Sequence, residues 1–581
     1  MKQLLNDLVQ KTIETLFPDH ILPSFQIEKA KDPEHGDYAC NIALIAAKIL
    51  NMPPREIAQK IVDRLPQTPE ISRTTIAGPG FINFTLTHAA RFGVIKTVLE
   101  EKETFGKGHQ THKNKILLEF ISSNPTGPLH VGHGRSAAYG ASLASLMKAA
   151  GYDIHCEYYV NDAGRQMEIL AASLWLRYLE LGGQHFPFPA NAYQGDYVKL
   201  IAEALKKQFG SQYEQSASNI FQGLPPDEAE GGDKETYIDA VIEKSRTLLG
   251  AESFQAIQSF ATEAILNDMK NDLAEFGVHF DSWFSEKSLF DSGALEKSII
   301  DLKKSGYTQE KEGALWFNAS HFGDEKDRVV IRANGKPTYF ASDVAYHWNK
   351  YQRGYNTLIN IFGADHHGYI PRLKAVVSAF GKDPETLEVL IVQFAILYRG
   401  KERVSMSTRS GSFITLRQLR EEVGNDAARF FYVMRKADQH MDFDLELAKS
   451  ESSENPVYYI QYAHARICSI FKQMKEKQQT FEPNIGLEAL GTLAEEAELN
   501  LTKMLSYYPE LITSAARSRE PHQLAHYLRD LAHGFHTYYN AHTFLVEDQK
   551  LRNARLCLIM AVKQVIKNGL TILGVSTPEQ M

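Results

Sequence analysis

The sequence has little cysteine. Its 581 residues include four, Cys40, Cys156, Cys468 and Cys557, none closer than 89 residues to the next. That spacing leaves no Cys-x-x-Cys clip and no zinc knuckle. Reduced, mostly structural thiols fit a reducing compartment. Long apolar runs are missing too. The longest, Val389 to Tyr398, is interrupted by Gln393 and falls short of the ~20 residues that span a bilayer. It reads as a buried strand. The N-terminus carries an acid, Asp7, where a signal peptide would carry its apolar core. These absences predict a cytoplasmic protein with no membrane partner. An excess of positive charge is missing as well: 63 Lys+Arg against 71 Asp+Glu give −8, which argues against nucleic-acid binding through bulk charge. The acidity is local, however. Residues 221–280 alone carry −8, and residues 501–581 carry a surplus of +3. A nucleic-acid partner would therefore be held by local patches and shape, with the acidic region away from the phosphate path.

What is present is an ordinary globular balance, 43% hydrophobic and 23% charged, which excludes long disorder. Helical periodicity at Leu4, Leu8, Ile13 and Leu16 opens a small α/β unit over residues 1–105, with a strand-like run from Ile76 to Phe84. The charged, Gly-containing segment Glu101–Gly108 closes it. A catalytic-size α/β domain follows over 106–400. Strand signals at Lys115–Ile121 and Ile154–Val160 flank a helix from His130 to about Ala150. Further signals lie at Arg328–Ile331, Thr357–Phe362 and Leu390–Phe394. This predicts a doubly wound, Rossmann-type parallel sheet. A helix-rich insertion of about 165–280 splits it, with a polar Pro/Gly/acid segment at Gly223–Lys234. Residues 401–450 form a connection. Residues 451–581 read as an all-α helical bundle with no convincing strand after Asp426.

The sharpest motif is Ser123-Asn124-Pro125-Thr126-Gly127-Pro128-Leu129-His130-Val131-Gly132-His133. It sits between a buried strand and a helix, where an open α/β sheet binds ligands. A helix N-terminus favours phosphate, His130 and His133 can face one anion, and Gly132 lets a flat base lie against the backbone. Read alone, His-x-Gly-His also fits two residues that merely cap or pack.

The full string resembles the first signature of class I aminoacyl-tRNA synthetases. Its flanks Leu118-Glu119-Phe120 and Gly134-Arg135 resemble the arginyl-tRNA synthetase branch. So do Val160-Asn161-Asp162-Ala163-Gly164, Gly363-Ala364-Asp365-His366-His367-Gly368, Asp426-Ala427-Ala428-Arg429 and the C-terminal Leu573–Met581. The resemblance implies ATP-dependent activation of L-arginine to arginyl-adenylate, then transfer to the terminal ribose of tRNA(Arg). Mg²⁺ would be carried with the nucleotide, with no dedicated protein metal site, and the enzyme would act as a monomer. It implies His130 and His133 on the triphosphate, the whole Ser123–His133 string together with Asp365, His366 and Met406 around ATP, and Ser122, Asn124, Glu286, Tyr339 and Asp343 around arginine. A planar guanidinium needs such carboxylates and an aromatic face. Glu119 either joins them or only orders the turn.

One departure stands out. The second signature, usually Lys-Met-Ser-Lys-like, is here Ser405-Met406-Ser407-Thr408-Arg409, without either lysine. The compensating lysine that some arginyl enzymes carry three residues before the first signature His is here Gly127. Arg409 is the expected substitute cation, with Arg399, Lys401 and Arg403 nearby. For tRNA, the resemblance implies an elbow-binding N-terminal domain, where Phe81 would stack a base and Asn83 bond its edge. It also implies an anticodon-binding bundle, where Tyr458, Tyr459, Tyr462, Tyr507, Tyr508, Arg435 and Arg466 offer aromatics with arginine. Two other readings stay open: a nucleotidyltransferase sharing the His-x-Gly-His fold, and a catalytically weak RNA-binding relative.

Overall fold

The computed structural model describes residues 1–30, 32–108, 114–404 and 414–581. The N-terminal unit is a helix, Lys2–Leu16, packed with helices Ile42–Leu50 and Pro54–Arg64 on a four-stranded antiparallel sheet. Its strands are β1 (Ile27–Lys29), β2 (Tyr38–Cys40), β3 (Ile71–Ala77) and β4 (Phe81–Leu86), in the order β1-β2-β4-β3. The run Ile76–Phe84 is therefore a hairpin and not one strand. Gly78 and Gly80, both at positive φ, make its turn. The Glu101–Gly108 segment is docked, not free: Phe105 is buried and stacks on Tyr508 of the C-terminal bundle at 5.9 Å.

The central sheet comprises β5 (Lys115–Glu119), β6 (Asp153–Val160) and β7 (Ser282–Ser285), then, after three strands that leave it, two more. Those three, β8 (Thr308–Lys311), β9 (Ala314–Phe317) and β10 (Arg328–Ile331), form a separate antiparallel sheet. The Arg328–Ile331 signal is thus a real strand in a different sheet, because consecutive strands with short connections tend to pair with one another. The parallel sheet resumes with β11 (Thr357–Gly363) and β12 (Leu387–Val392), giving the order β12-β11-β5-β6-β7, every pair parallel. The order in which strands are added reverses between β5 and β11, with the strands themselves still parallel. That is the switch point of a doubly wound fold, and the crevice beyond the carboxyl ends of those two strands is where such folds take ligands.

The apolar run Val389–Tyr398 is two strands. Gln393 marks the break between β12 and β13 (Ala395–Arg399), and β13 joins β14 (Glu402–Arg403) and β15 (Met441–Asp444) in a third sheet. The expectation of no strand after Asp426 fails at β15, whose four residues are too short for a period-2 pattern to register. The insertion is helical, and its acids are partly paired: Asp268, Asp272 and Glu275 meet Arg417 and Arg420, and Glu235 and Asp239 meet Arg165.

Long helices Pro456–Glu476, Glu496–Ser518, His522–Ala541 and Gln549–Leu573 build the C-terminal bundle. The last is the one described helix long and apolar enough to cross a membrane, yet it is the bundle's core, with Leu556, Leu558, Ile559, Val562 and Ile566 fully buried. The Asp426–Arg429 mark works as a joint. Asp426 accepts from Ser576 and Gln461. Buried Arg429 donates to the carbonyls of Leu573, Phe276 and Gly277, tying the bundle's end to the insertion's last helix.

Candidate active site

The first signature leaves β5 through a strained turn. Ile121 and Ser122 sit at φ +70° and +43°, a conformation that a β-branched residue adopts only when its surroundings impose it. Those surroundings are polar. The Ser122 hydroxyl donates to Glu119 Oε1 at 3.0 Å and accepts from the Tyr159 amide at 3.1 Å, and Asn161 donates to the Ser122 carbonyl. Ser123 is held by the Tyr158 hydroxyl. Asn124 is exposed. Pro125, Leu129 and Val131 are buried, so these three position the string and their side chains face the core, not a ligand.

His130 caps helix Val131–Ala149. Its Nδ1 accepts from the Gly132 amide at 3.0 Å, and His133 Nδ1 accepts from the His130 amide at 3.3 Å. The two imidazoles stack at 3.8 Å. Burial, then the neighbouring His130, pushes His133 down to about 3, and burial lowers His130 as well. Both rings are therefore neutral at pH 7 in the free protein. A Cβ on Gly132 would meet the His130 ring at 2.8 Å, so the glycine first makes room for the histidine itself.

Across the switch point, β11 runs into a short 3-10 turn, Ala364–Tyr369, that carries Asp365 and His366, both exposed, with Asp365 Oδ1 3.1 Å from His366 Nδ1. Half-exposed Phe394 lies between the two loops, 4.0 Å from a Cβ position on Gly132 and 3.8 Å from one on Gly363. Sequence reading placed Phe394 inside a strand. Its position after the Gln393 break is the signal that it instead closes the crevice mouth. The second signature, with Met406 and Arg409, lies outside the described residues. Its flanks are placed: the chain returns at Ile414, whose carbonyl accepts from the Val131 amide at 3.1 Å, and Leu416 donates to Leu129.

The residues expected around arginine do come together. Helix Tyr339–Gln352 begins at Tyr339, 68% exposed, whose ring lies 3.9 Å from a Cβ position on Gly164. Asp343 is one turn on. Glu286, at the end of β7, is buried and hydrogen-bonds Ser342 and Tyr159. Four carboxylates, Glu286, Asp343, Glu119 and Asp162, act on the Tyr159 hydroxyl and, after burial, hold it well above its ordinary value. Asp343 is pushed up to about 7 by burial and by Glu286 and Glu119. Burial raises Glu286 as well.

Beneath them runs a polar rung that sequence reading missed. Asn360, Glu119, Glu157 and Ser282 are register partners across β11, β5, β6 and β7. The helix above supplies the counter-charges. Fully buried Lys350 donates to Glu119 Oε2 at 2.5 Å and to Asn360 Oδ1 at 3.0 Å; His347 Nε2 pairs with the Asn360 amide; Tyr346 donates to Glu157; and Arg353, just past the helix end, grips Glu157 with two bonds of 2.6 and 2.7 Å. Glu119 and Glu157 are thus matched by Lys350 and Arg353. Among the described residues no cation pairs with Asp343 or Glu286, and Arg372, which acts on Asp343, lies beside Asp324.

Phe81 and Asn83 share the β4 face opposite the core residues Ile82 and Phe84. Phe81 is exposed and Asn83 is buried. In the bundle, Tyr508 is core, whereas Arg466 lies over the rings of both Tyr462 and Tyr539.

Three family profiles match the chain: "Arginyl tRNA synthetase N terminal domain" over residues 3–86, "tRNA synthetases class I (R), catalytic domain" over 94–200 and 244–467, and "DALR anticodon binding domain" over 460–581. The arginine–tRNA ligase of Legionella pneumophila (strain Corby) is 56% identical over 586 residues, covering 100% of both chains. That of Thioalkalivibrio sulfidiphilus is 55% identical with the same coverage. The arginyl-tRNA synthetase structure from Thermus thermophilus superposes with a TM-score of 0.72 over 100% of both chains at 22% identity, a likeness of fold.

Proposed function

Since the chain belongs to the arginyl-tRNA synthetase family and is a class I arginine–tRNA ligase that uses ATP, we propose that the two sides of its crevice divide the reaction. Asp343 and Glu286 receive the guanidinium, with Tyr339 lying over it as an aromatic face. Asn124 holds the α-amino or carboxylate group. Ser122, whose hydroxyl is already committed to Glu119 and Tyr159, shapes the turn and offers only its backbone. Glu119, paired with Lys350, orders the turn.

On the other side, the backbone of Ser123–His133 and the imidazoles of His130 and His133 meet the triphosphate. Gly132 and Phe394 flank the base, with Asp365 and His366 at the ribose. The arginine carboxylate attacks the α-phosphorus and pyrophosphate leaves; the ribose hydroxyl of tRNA(Arg) then takes the arginyl group and AMP leaves. No protein nucleophile is required. The residues contribute positioning and donors for phosphate charge. Mg²⁺ favours substrate phosphates over all-protein cages. We assign the ion to the nucleotide.

Arg409 supplies the cation that the second signature lacks. Arg409→Ala then slows pyrophosphate exchange by several kcal/mol of barrier, and an unchanged rate overturns that role. Residues 1–105 hold the tRNA elbow through exposed Phe81, with buried Asn83 supporting the strand and not reaching a base; 106–400 carry the chemistry, 401–450 connect, and 451–581 read the anticodon. We take the enzyme to act in the cytoplasm as a monomer.

The observation that carries the arginine assignment is the pair of half-buried Asp343 and buried Glu286, without a cation partner among the described residues, above a charge-balanced rung. Arginine-dependent ATP–pyrophosphate exchange, measured with and without tRNA(Arg), tests it. Asp343→Asn is expected to raise the arginine requirement and spare ATP binding. Equal losses for both substrates would sink the assignment.

A further inference from the structure

The insertion touches the nucleotide-side turn directly. Tyr197, on the first turn of helix Asp196–Phe209, donates its hydroxyl to the Thr126 carbonyl at 2.6 Å. Its ring lies 3.1 Å from where a Cβ on Gly127 would stand. Gly127 does not have a positive φ, so its backbone suits any residue, and the tyrosine ring is what crowds a side chain there. A second tyrosine, Tyr193, bonds the Thr126 side chain and Gln166 of helix Arg165–Leu181. Thr126 and Gly127 lie between the strained turn and His130. Among the described residues they carry no other hydrogen bond to a distant element, apart from the local Thr126 amide to Asn124 carbonyl bond.

We propose that Tyr197, reaching out of the insertion, is a positioning residue for adenylate formation: it clamps Thr126-Gly127 so that the backbone leading into His130 meets the triphosphate in a fixed place. The proposal rests on the nucleotide reading of this turn. Its physical content is that a backbone segment without a ladder of its own must be held by an outside donor and an outside surface, and Tyr197 supplies both from one side chain. The insertion is then part of the catalytic apparatus, although its acidic stretch lies further along the chain.

The test is arginine-dependent ATP–pyrophosphate exchange on the full-length enzyme with tRNA present. Tyr197→Phe keeps the ring and loses the bond. Tyr197→Ala loses both, and Gly127→Ala pushes the ring away. Tyr197→Ala is expected to cost about tenfold in kcat or in KM for ATP, with the arginine KM within about twofold, and Tyr197→Phe to cost less. Gly127→Ala is expected to match Tyr197→Ala, and the double variant to be no worse than either, because all three act through one contact. Losses that multiply in the double variant, equal rises in both KM values, or a Tyr197→Ala enzyme within about twofold of wild type would each overturn the proposal. His130→Ala in the same assay separates the two ideas: if it leaves ATP use intact, the nucleotide reading fails whatever Tyr197 does.

Discussion

The two sides of the crevice are made differently. On the arginine side, charge is buried and counted: Glu119 against Lys350, Glu157 against Arg353, with Asp343 and Glu286 left over. On the nucleotide side, Asp365, His366 and half of Phe394 face solvent, and the two signature histidines are neutral. The contrast follows from what each substrate brings. A guanidinium has one charge and a fixed shape, so selectivity over other cations requires carboxylates that cannot relax, and buried ion pairs supply that rigidity. A triphosphate brings several charges and its own metal, so its site needs donors in place but little stored charge.

The largest effect expected from breaking this contrast is on stability. Lys350→Met leaves Glu119 buried without its cation and is expected to cost about 3–5 kcal/mol in urea unfolding, while Lys350→Met with Glu119→Met recovers most of it. A small loss in the single variant would mean that the rung is not the rigid floor of the pocket. Asp343→Asn comes next, removing one partner of a desolvated charge pair at about 2–5 kcal/mol of arginine binding. The same substitution has an opposite effect on the free protein. The Asp343 carboxyl, ordinarily at 3.8, is raised to about 7. Below its ordinary value it is protonated folded or unfolded and costs nothing. The cost then grows with pH and levels off once the folded group ionises near 7. Asp343→Asn therefore raises the unfolding temperature at pH 8 and leaves it unchanged at pH 4; added arginine protects the wild type alone. A third variant addresses the nucleotide side. His133→Ala is expected to lower kcat for exchange about a hundredfold with the arginine KM unmoved, measured by pyrophosphate exchange.

The nucleotide side was the more legible in the sequence, because its residues are consecutive: eleven of them after an apolar strand name the switch point before any coordinate does. The arginine pocket could be read only through resemblance, since Glu286 and Asp343 come from different segments and each alone passes for an ordinary cap or ion pair. The rung left a fainter mark. Asp343, Tyr346, His347 and Lys350 recur at helical spacing, but polar residues at that spacing normally signal the solvated face. Only the register of Asn360, Glu119 and Glu157 turns that stripe inward. Tyr197 was invisible for a plainer reason: its partner is 71 residues away and is a backbone carbonyl, which no side-chain pattern encodes. The hairpin at Gly78–Gly80 was misread because its apolar residues continue through the turn.

The smallest expected effect is the sharpest test of the contrast. Asp365 is exposed and, among the described residues, forms its ion pair with the adjacent His366. If the open side gains its order from the substrate, Asp365→Asn removes one solvent-screened hydrogen bond to the ribose. That is about 1 kcal/mol, read as a roughly fivefold rise in KM for ATP with no change in unfolding temperature. The equivalent isosteric change on the closed side, Asp343→Asn, moves both the substrate requirement and the stability. Should Asp365→Asn also shift the unfolding temperature, the nucleotide side would be built on stored charge like its neighbour, and the division of the crevice into a rigid half and a substrate-ordered half would not hold.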